Sequence, residues 1–136
     1  MTFSRGDHLG RYEVLGPIGA GGMGEAWRAR DTELGREVAV KVLPEALASE
    51  PRRVERFRRE ARALAALSHP NLLEIHDVGS SNGLDYVITE LLEGDCLRAA
   101  IPPKGLPWQK VAEIGAAAAD GLAAAHGRGI IHRDLK

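Results

Sequence analysis

With 136 residues, 44% of them hydrophobic and 27% charged, the chain has room for one modest domain with its own core, and a disordered segment or membrane bundle would not have this balance. Eighteen Lys and Arg against nineteen Asp and Glu leave a formal charge of -1, which removes the overall positive field of a nucleic-acid or anionic-membrane binder. The single cysteine, Cys96, excludes an internal disulfide and a cysteine-rich zinc site, fits a reducing compartment, and is expected to be a small buried apolar residue. No run approaches the roughly 18 apolar residues that cross a bilayer, and the opening residues lack the apolar core of a signal peptide.

Taken in order, Arg11 to Leu15 reads as a strand leading into a glycine cluster. Glu25 to Arg30 alternates as a second strand, and Asp31 to Gly35 makes a turn. Glu37 to Val42 is a third strand, mostly apolar but carrying Lys41. Arg52 to Leu67 has helical periodicity, with Ser49 or Glu50 as cap and Pro51 in the first turn. Leu72 to Val78 and Leu84 to Thr89 are two more strands around the turn 79–83. After Glu93-Gly94 the pattern becomes helical, with a short helix over 95–101 and a long alanine-rich one from Pro107-Trp108 to about His126. This predicts an α+β chain: a five-stranded sheet with one main helix, then helices alone, with a boundary near 93.

Three groups of residues carry chemistry. Gly19, Gly21 and Gly24 have the spacing G-x-G-x-x-G, which lets backbone N–H groups approach phosphate oxygens. The same spacing occurs in dinucleotide-binding turns and in purely structural turns, and here a strand rather than a helix follows it. Lys41, set among valines, should face an anion unless its head reaches water at a strand edge. At about 100° per residue Glu60 falls on the apolar arc of the helix with Val54, Phe57, Ala61 and Leu64, whereas Arg52, Arg56, Arg58, Arg59 and Arg62 gather opposite. A buried Lys41–Glu60 pair that also binds phosphate is the economical expectation. The six arginines of residues 52–62 are read as a solvated face and not a nucleic-acid site, because no aromatic residues are interleaved for base stacking. The segment His132-Arg133-Asp134-Leu135-Lys136 offers a carboxylate and an ammonium two residues apart, able to orient a hydroxyl and stabilise a transferring phosphoryl group. His8, His69, His76 and His126 have no metal-ligand spacing.

The glycine loop, Val38-Ala39-Val40-Lys41, Glu60 and His132 to Lys136 stand in the order of the protein kinase signature set. Ser68-His69-Pro70-Asn71, Tyr86 to Glu90 and the wording Gly21-Gly22-Met23-Gly24 add to it, so the chain from Tyr12 onward resembles a bacterial serine/threonine kinase of the eukaryotic-like type. The resemblance implies ATP held by Ile18, Gly19, Ala20, Gly21, Gly22, Met23, Gly24, Ala26, Ala39 and Lys41. Glu60 would position Lys41. Thr89 would back the adenine pocket, and the backbones of Glu90 and Leu92 would meet the purine. It further implies Asp134 as catalytic base and Lys136 as phosphoryl stabiliser. Arg133 would pair with a phosphorylated activation segment, and His132 would serve as structural support. Residues 1–11 would be an N-terminal extension, 12–92 a nucleotide-binding N-lobe, and 93–136 the start of a helical C-lobe cut at the catalytic loop.

Two departures stand out. Ala26 occupies a position where the family usually has valine. The magnesium-binding Asn and Asp-Phe-Gly segments would lie beyond Lys136, so Mg2+ is expected only for a complete domain, no metal ligand is assigned here, and the chain alone is expected to be inactive. The implied partner is a protein carrying Ser or Thr, with no nucleic acid and no membrane segment in this chain, in the cytoplasm. A homodimer of the full-length kinase is a further implied partner. The alternative is a non-catalytic nucleotide-binding or interaction module of the same fold.

Overall fold

The computed structural model describes residues 3–21, 24–43, 48–132 and 135. Among them six strands form one antiparallel sheet in the order β1-β2-β3-β4-β6-β5. The strands are β1 His8–Leu9, β2 Tyr12–Gly21, β3 Gly24–Asp31, β4 Glu37–Val42, β5 Ile75–Ser81 and β6 Leu84–Glu90. The count of five expected from the sequence is corrected by β1. Its two residues pair His8 with Glu13 and Leu9 with Tyr12 around Gly10, whose φ of 58° suits glycine. A two-residue strand shows no alternation to read.

Alternation along β4 puts Val38, Val40 and Val42 into the core and leaves Glu37, Ala39 and Lys41 on the other face. The β5–β6 hairpin turns on Asn82 and Gly83, at φ 52° and 78°, which is the positive-φ pair that a two-residue turn of matching twist requires. The sheet is strongly curved. Tyr12 and Tyr86 stand three strands apart, about 14 Å if the sheet were flat, yet their ring centroids are 6.4 Å apart. Tyr12 Oη donates to Asp77 Oδ2 on the far edge strand at 2.9 Å. The enclosed side holds the core of Leu9, Tyr12, Val14, Trp27, Val38, Val40 and Ile88 with their neighbours.

Three helices complete the described residues: α1 Pro51–Ala65, α2 Leu97–Ala100 and α3 Trp108–His126. Pro51 opens α1 as its missing N–H allows, and Glu50 is the N-cap without a side-chain capping bond. Ala61 is the buried residue of α1, which packs against β5. Cys96 is exposed, not buried. It precedes the single turn of α2, none of whose residues is buried, so no core reaches it.

The turn after α1 holds the sheet to α3. Asn71 Nδ2 donates to the Ala117 carbonyl at 3.0 Å, and His69 Nε2 lies 3.3 Å from Asp120 Oδ2. His69 Nδ1 accepts the Asn71 N–H at 3.0 Å, so Nε2 is the nitrogen that carries the proton toward Asp120. Gly121 of α3 lies so close that a Cβ there would stand 2.9 Å from the Asn71 carbonyl oxygen.

Candidate active site

The hairpin of β2 and β3 carries the glycine motif. Gly19 pairs with Ala26, Ala20 with Glu25 and Gly21 with Gly24, after irregularities between Val14 and Gly16 and between Pro17 and Gly19. Ala26 in turn pairs with Lys41, and Lys41 with Val87. Residues directly opposite in antiparallel strands share a face. Gly19, Ala26 and Lys41 are therefore in one row across three strands, beneath the end of the glycine hairpin. One step along, Arg28, Ala39 and Thr89 make a parallel row. The small side chain of Ala26 lies in the Lys41 row, and that of Ala39 lies in the next row, toward the chain that leaves β6.

Thr89 is buried, and its Oγ1 donates to the Glu90 carbonyl at 3.1 Å. Glu90 is pinned from the other side, where its N–H donates to the Glu74 carbonyl at 3.0 Å and its Oε1 accepts the Glu74 N–H at 3.0 Å. The Glu90 carbonyl retains a second lone pair for a ligand, whereas its N–H is already engaged. Leu92 and Ile18 are exposed. Arg28 Nε donates to Glu37 Oε2 at 2.8 Å, and its Nη2 lies 3.7 Å from Glu93 Oε1, so the connecting chain after β6 is tied back to the sheet. The Glu37 bond and charge push the Arg28 guanidinium further up from its ordinary pKa.

The expected buried Lys41–Glu60 pair is corrected. Lys41 is exposed, and Glu60 Oε1 instead accepts from Arg56 Nε one turn back on α1 at 3.0 Å. Arg58, expected on the solvent side, reaches the sheet. Its Nε and Nη2 stand 2.7 and 2.5 Å from Asp85 Oδ1 on β6. The centre of the buried stripe is Ala61. At the helical repeat Arg58 lies roughly 60° from it on one flank and Glu60 about 100° from it on the other. Asp85 was missed by the sequence reading, although a single acid in the run Leu84 to Ile88 raises the same demand for a partner as Lys41 among valines.

An open groove of about 670 Å³ runs beside α1, lined by Val54, Arg58, Arg59, Arg62 and Asp85 among others. Lys41 and the glycine hairpin do not line it. Gly22, Met23, Arg133, Asp134 and Lys136 lie outside the described residues. Residues 131, 132 and 135 follow α3 and its closing turn, with all three exposed. No group of three or more His, Cys, Asp or Glu among the described residues could hold a metal ion.

Along these rows the described part of the β2–β3 hairpin, the exposed Lys41 ammonium and the small side chain of Ala26 stand together, with Ala39 and Thr89 in the neighbouring row.

Known proteins match over this whole frame. The family model described as protein kinase domain covers residues 12–136. Serine/threonine-protein kinase pkn2 of Myxococcus xanthus is 43% identical over 127 residues, which is 93% of this chain and 15% of that protein. Serine/threonine-protein kinase PknA of Mycobacterium tuberculosis is 41% identical over 133 residues, 93% of this chain and 31% of that protein. The crystal structure of a point mutant of the Mycobacterium tuberculosis PknI kinase domain superposes with a TM-score of 0.89 at 34% identity, covering all of this chain and 56% of that one. The chain thus spans less than a third of these curated relatives and about half of a solved kinase domain. It belongs to the protein kinase domain family, as the N-terminal part of a bacterial, eukaryotic-like serine/threonine kinase domain.

Proposed function

We propose that this chain supplies the nucleotide-binding half of an ATP-dependent kinase that phosphorylates serine or threonine hydroxyls of proteins. The observation that carries the reading is the row Gly19, Ala26, Lys41, which sets one ammonium in line with the glycine hairpin. Gly19 to Gly24 would cradle the phosphates and Lys41 would neutralise them. The Glu90 carbonyl and the Leu92 backbone would take the polar edge of the base, with Ile18, Ala26, Ala39 and Thr89 as its walls. ATP supplies the transferable phosphoryl group, and Mg2+ is expected with it in a complete domain. Asp134 would orient and deprotonate the attacking hydroxyl while Lys136 stabilises charge on the transferring group. Arg133 would receive a phosphorylated activation segment. A cytoplasmic location and a homodimer of the full-length kinase go with this reading. No helix among the described residues is long and apolar enough to cross a membrane.

The test is Lys41→Met in a complete domain. The substitution keeps the length of the side chain and removes the charge, and phosphoryl transfer should fall by at least about a hundredfold. Transfer from radiolabelled ATP at the unsubstituted rate would refute the assignment of Lys41 to the phosphate site, whereas no transfer by the unsubstituted complete domain would leave a non-catalytic module as the better reading.

A further inference from the structure

The segment before β2 is fastened to both strands that carry the glycine motif. β1 pairs His8 with Glu13, and the residues ahead of it keep following β2: the Gly6 N–H donates to the Val14 carbonyl at 2.9 Å, and the Val14 N–H to the Asp7 carbonyl at 2.8 Å. Ser4 and Asp7 then close a turn on each other. The Asp7 N–H donates to the Ser4 carbonyl at 3.0 Å and the Ser4 N–H to Asp7 Oδ2 at 2.8 Å. Beyond that turn Phe3 packs against the core, edge-on to Trp27 of β3, with ring centroids 5.6 Å apart and planes at 83°. Trp27 stands opposite Pro17 on β2 and Val40 on β4. Pro17 is in turn the last paired residue before the irregularity that leads to Gly19. Residues 3–9 therefore grip the hairpin at its base, β2 by backbone bonds and β3 by one ring.

We propose that Phe3 is a positioning residue for the glycine hairpin: seated on Trp27 it steadies the hairpin base, and release of residues 3–9 loosens the hairpin while the rest of the sheet stays folded. β1 is a two-residue strand at the edge of the sheet, whereas β4 and β6 are paired on both sides. A short edge element opens at lower cost than an interior one, so the segment can leave alone. Trp27 is only 6% exposed, and its Nε1 is buried with no acceptor among the described residues. Water reaching that N–H on release offsets part of the lost ring contact, which keeps the clamp reversible. Phe3 touches no substrate in this scheme; it acts through Trp27 and Pro17. The inference rests on the reading that the hairpin serves the phosphate site, but its test needs neither nucleotide nor catalysis.

The experiment is amide hydrogen exchange of the full 136-residue chain, read by peptide mass spectrometry. Phe3→Ala removes the ring contact and should speed exchange in β2 from Gly16 to Gly21 and in β3 from Gly24 to Arg28 by about tenfold. The amides of Ile75–Ser81 and Leu84–Glu90 should keep their unsubstituted rates. Phe3→Tyr, which retains the ring, should exchange as the unsubstituted chain does. Gly6→Pro reaches the segment from its other attachment, because it removes the N–H bonded to Val14 and cannot adopt the φ of 96° found there. It should repeat the Phe3→Ala pattern. Unchanged hairpin rates in either variant, or a rise that β5 and β6 share equally, overturn the proposal, the latter because Phe3 would then only add to global stability. A rise confined to the hairpin beside undiminished transfer by Lys41→Met in a complete domain would uphold the clamp while refuting the phosphate assignment, so the two can fail separately.

Discussion

The two glycines in the body of α3 should respond in opposite directions to the same substitution. At Gly115 an added Cβ meets nothing within 4 Å, so Gly115→Ala should gain the helix-propensity difference of about 1 kcal/mol. Gly121→Ala gains as much from propensity, but its Cβ lands 2.9 Å from the Asn71 carbonyl oxygen and 3.3 Å from Asn71 Cβ. Ordinary contact needs about half an ångström more or beyond, and the obstacle is backbone. Pushing the turn off α3 would break the Asn71 bond to Ala117, costing about 1 kcal/mol. The partly exposed His69–Asp120 contact would lose at most about 1 kcal/mol, and residual strain would cost about 1 kcal/mol or more. Gly121→Ala should therefore destabilise by about 1–2 kcal/mol net, some 2–3 kcal/mol below Gly115→Ala on the same helix. Urea denaturation followed by far-UV circular dichroism, with m-values compared to confirm that the denatured states match, reads this directly. Equal stabilisation by both substitutions would refute the docking of residues 69–71 on α3.

Tyr12 titrates high, pushed up from 10.0 to about 12 by its burial and then by the bond to Asp77. A raised folded pKa means that its share of stability is whole below pH 10 and is lost as the pH climbs through about 12. Tyr12→Phe should lower stability by about 1 kcal/mol at neutral pH and flatten the alkaline fall in a pH series of melting curves; an unchanged alkaline limb would count against the Asp77 bond. Asp31 is held below its usual value of 3.8: burial alone would raise it, but the Leu34 and Glu33 N–H groups and the Arg11 guanidinium outweigh that. The stability from this depressed pKa is present above the ordinary carboxylate range and lost as acid protonates the folded form. Asp31→Asn should thus make acid unfolding shallower, and an acid limb as steep as before would show that Asp31 does not govern it.

Five of the six described strands, the main helix and α3 were legible in the sequence because each shows its own period. Alternation in Glu37 to Val42 separates core from open face, and Pro107-Trp108 marks the start of α3 within a residue. The row from Gly19 to Lys41 was legible only as order along the chain, since register depends on the irregularities around Gly16 and Pro17, which no local pattern announces. The rotation of α1 was misread for a related reason. A hydrophobic arc on a helix marks the inward side only broadly, and Arg58 and Glu60 both sit at its margins. The deciding partner, Asp85, comes from a strand 27 residues away, and pairing over that distance is invisible to periodicity. Cys96 was misjudged because its residue type is usually buried, whereas its neighbourhood is a single helical turn with no second layer above it.

The bond from Tyr12 to Asp77 spans 65 residues, and it fastens the first long strand to the far edge of the sheet. On a ribosome this contact must wait for its partner. At about 5–20 residues per second, the strand bearing Tyr12 emerges roughly 3–13 s before the strand bearing Asp77. During that interval β2, β3 and β4 have no closed interior in which to bury Val14, Trp27 and Val40. The strand bearing Tyr12 is consequently among the first parts made and is secured only once β5 has emerged, so translation speed across residues 40–80 sets how long an adhesive apolar surface is on view to chaperones.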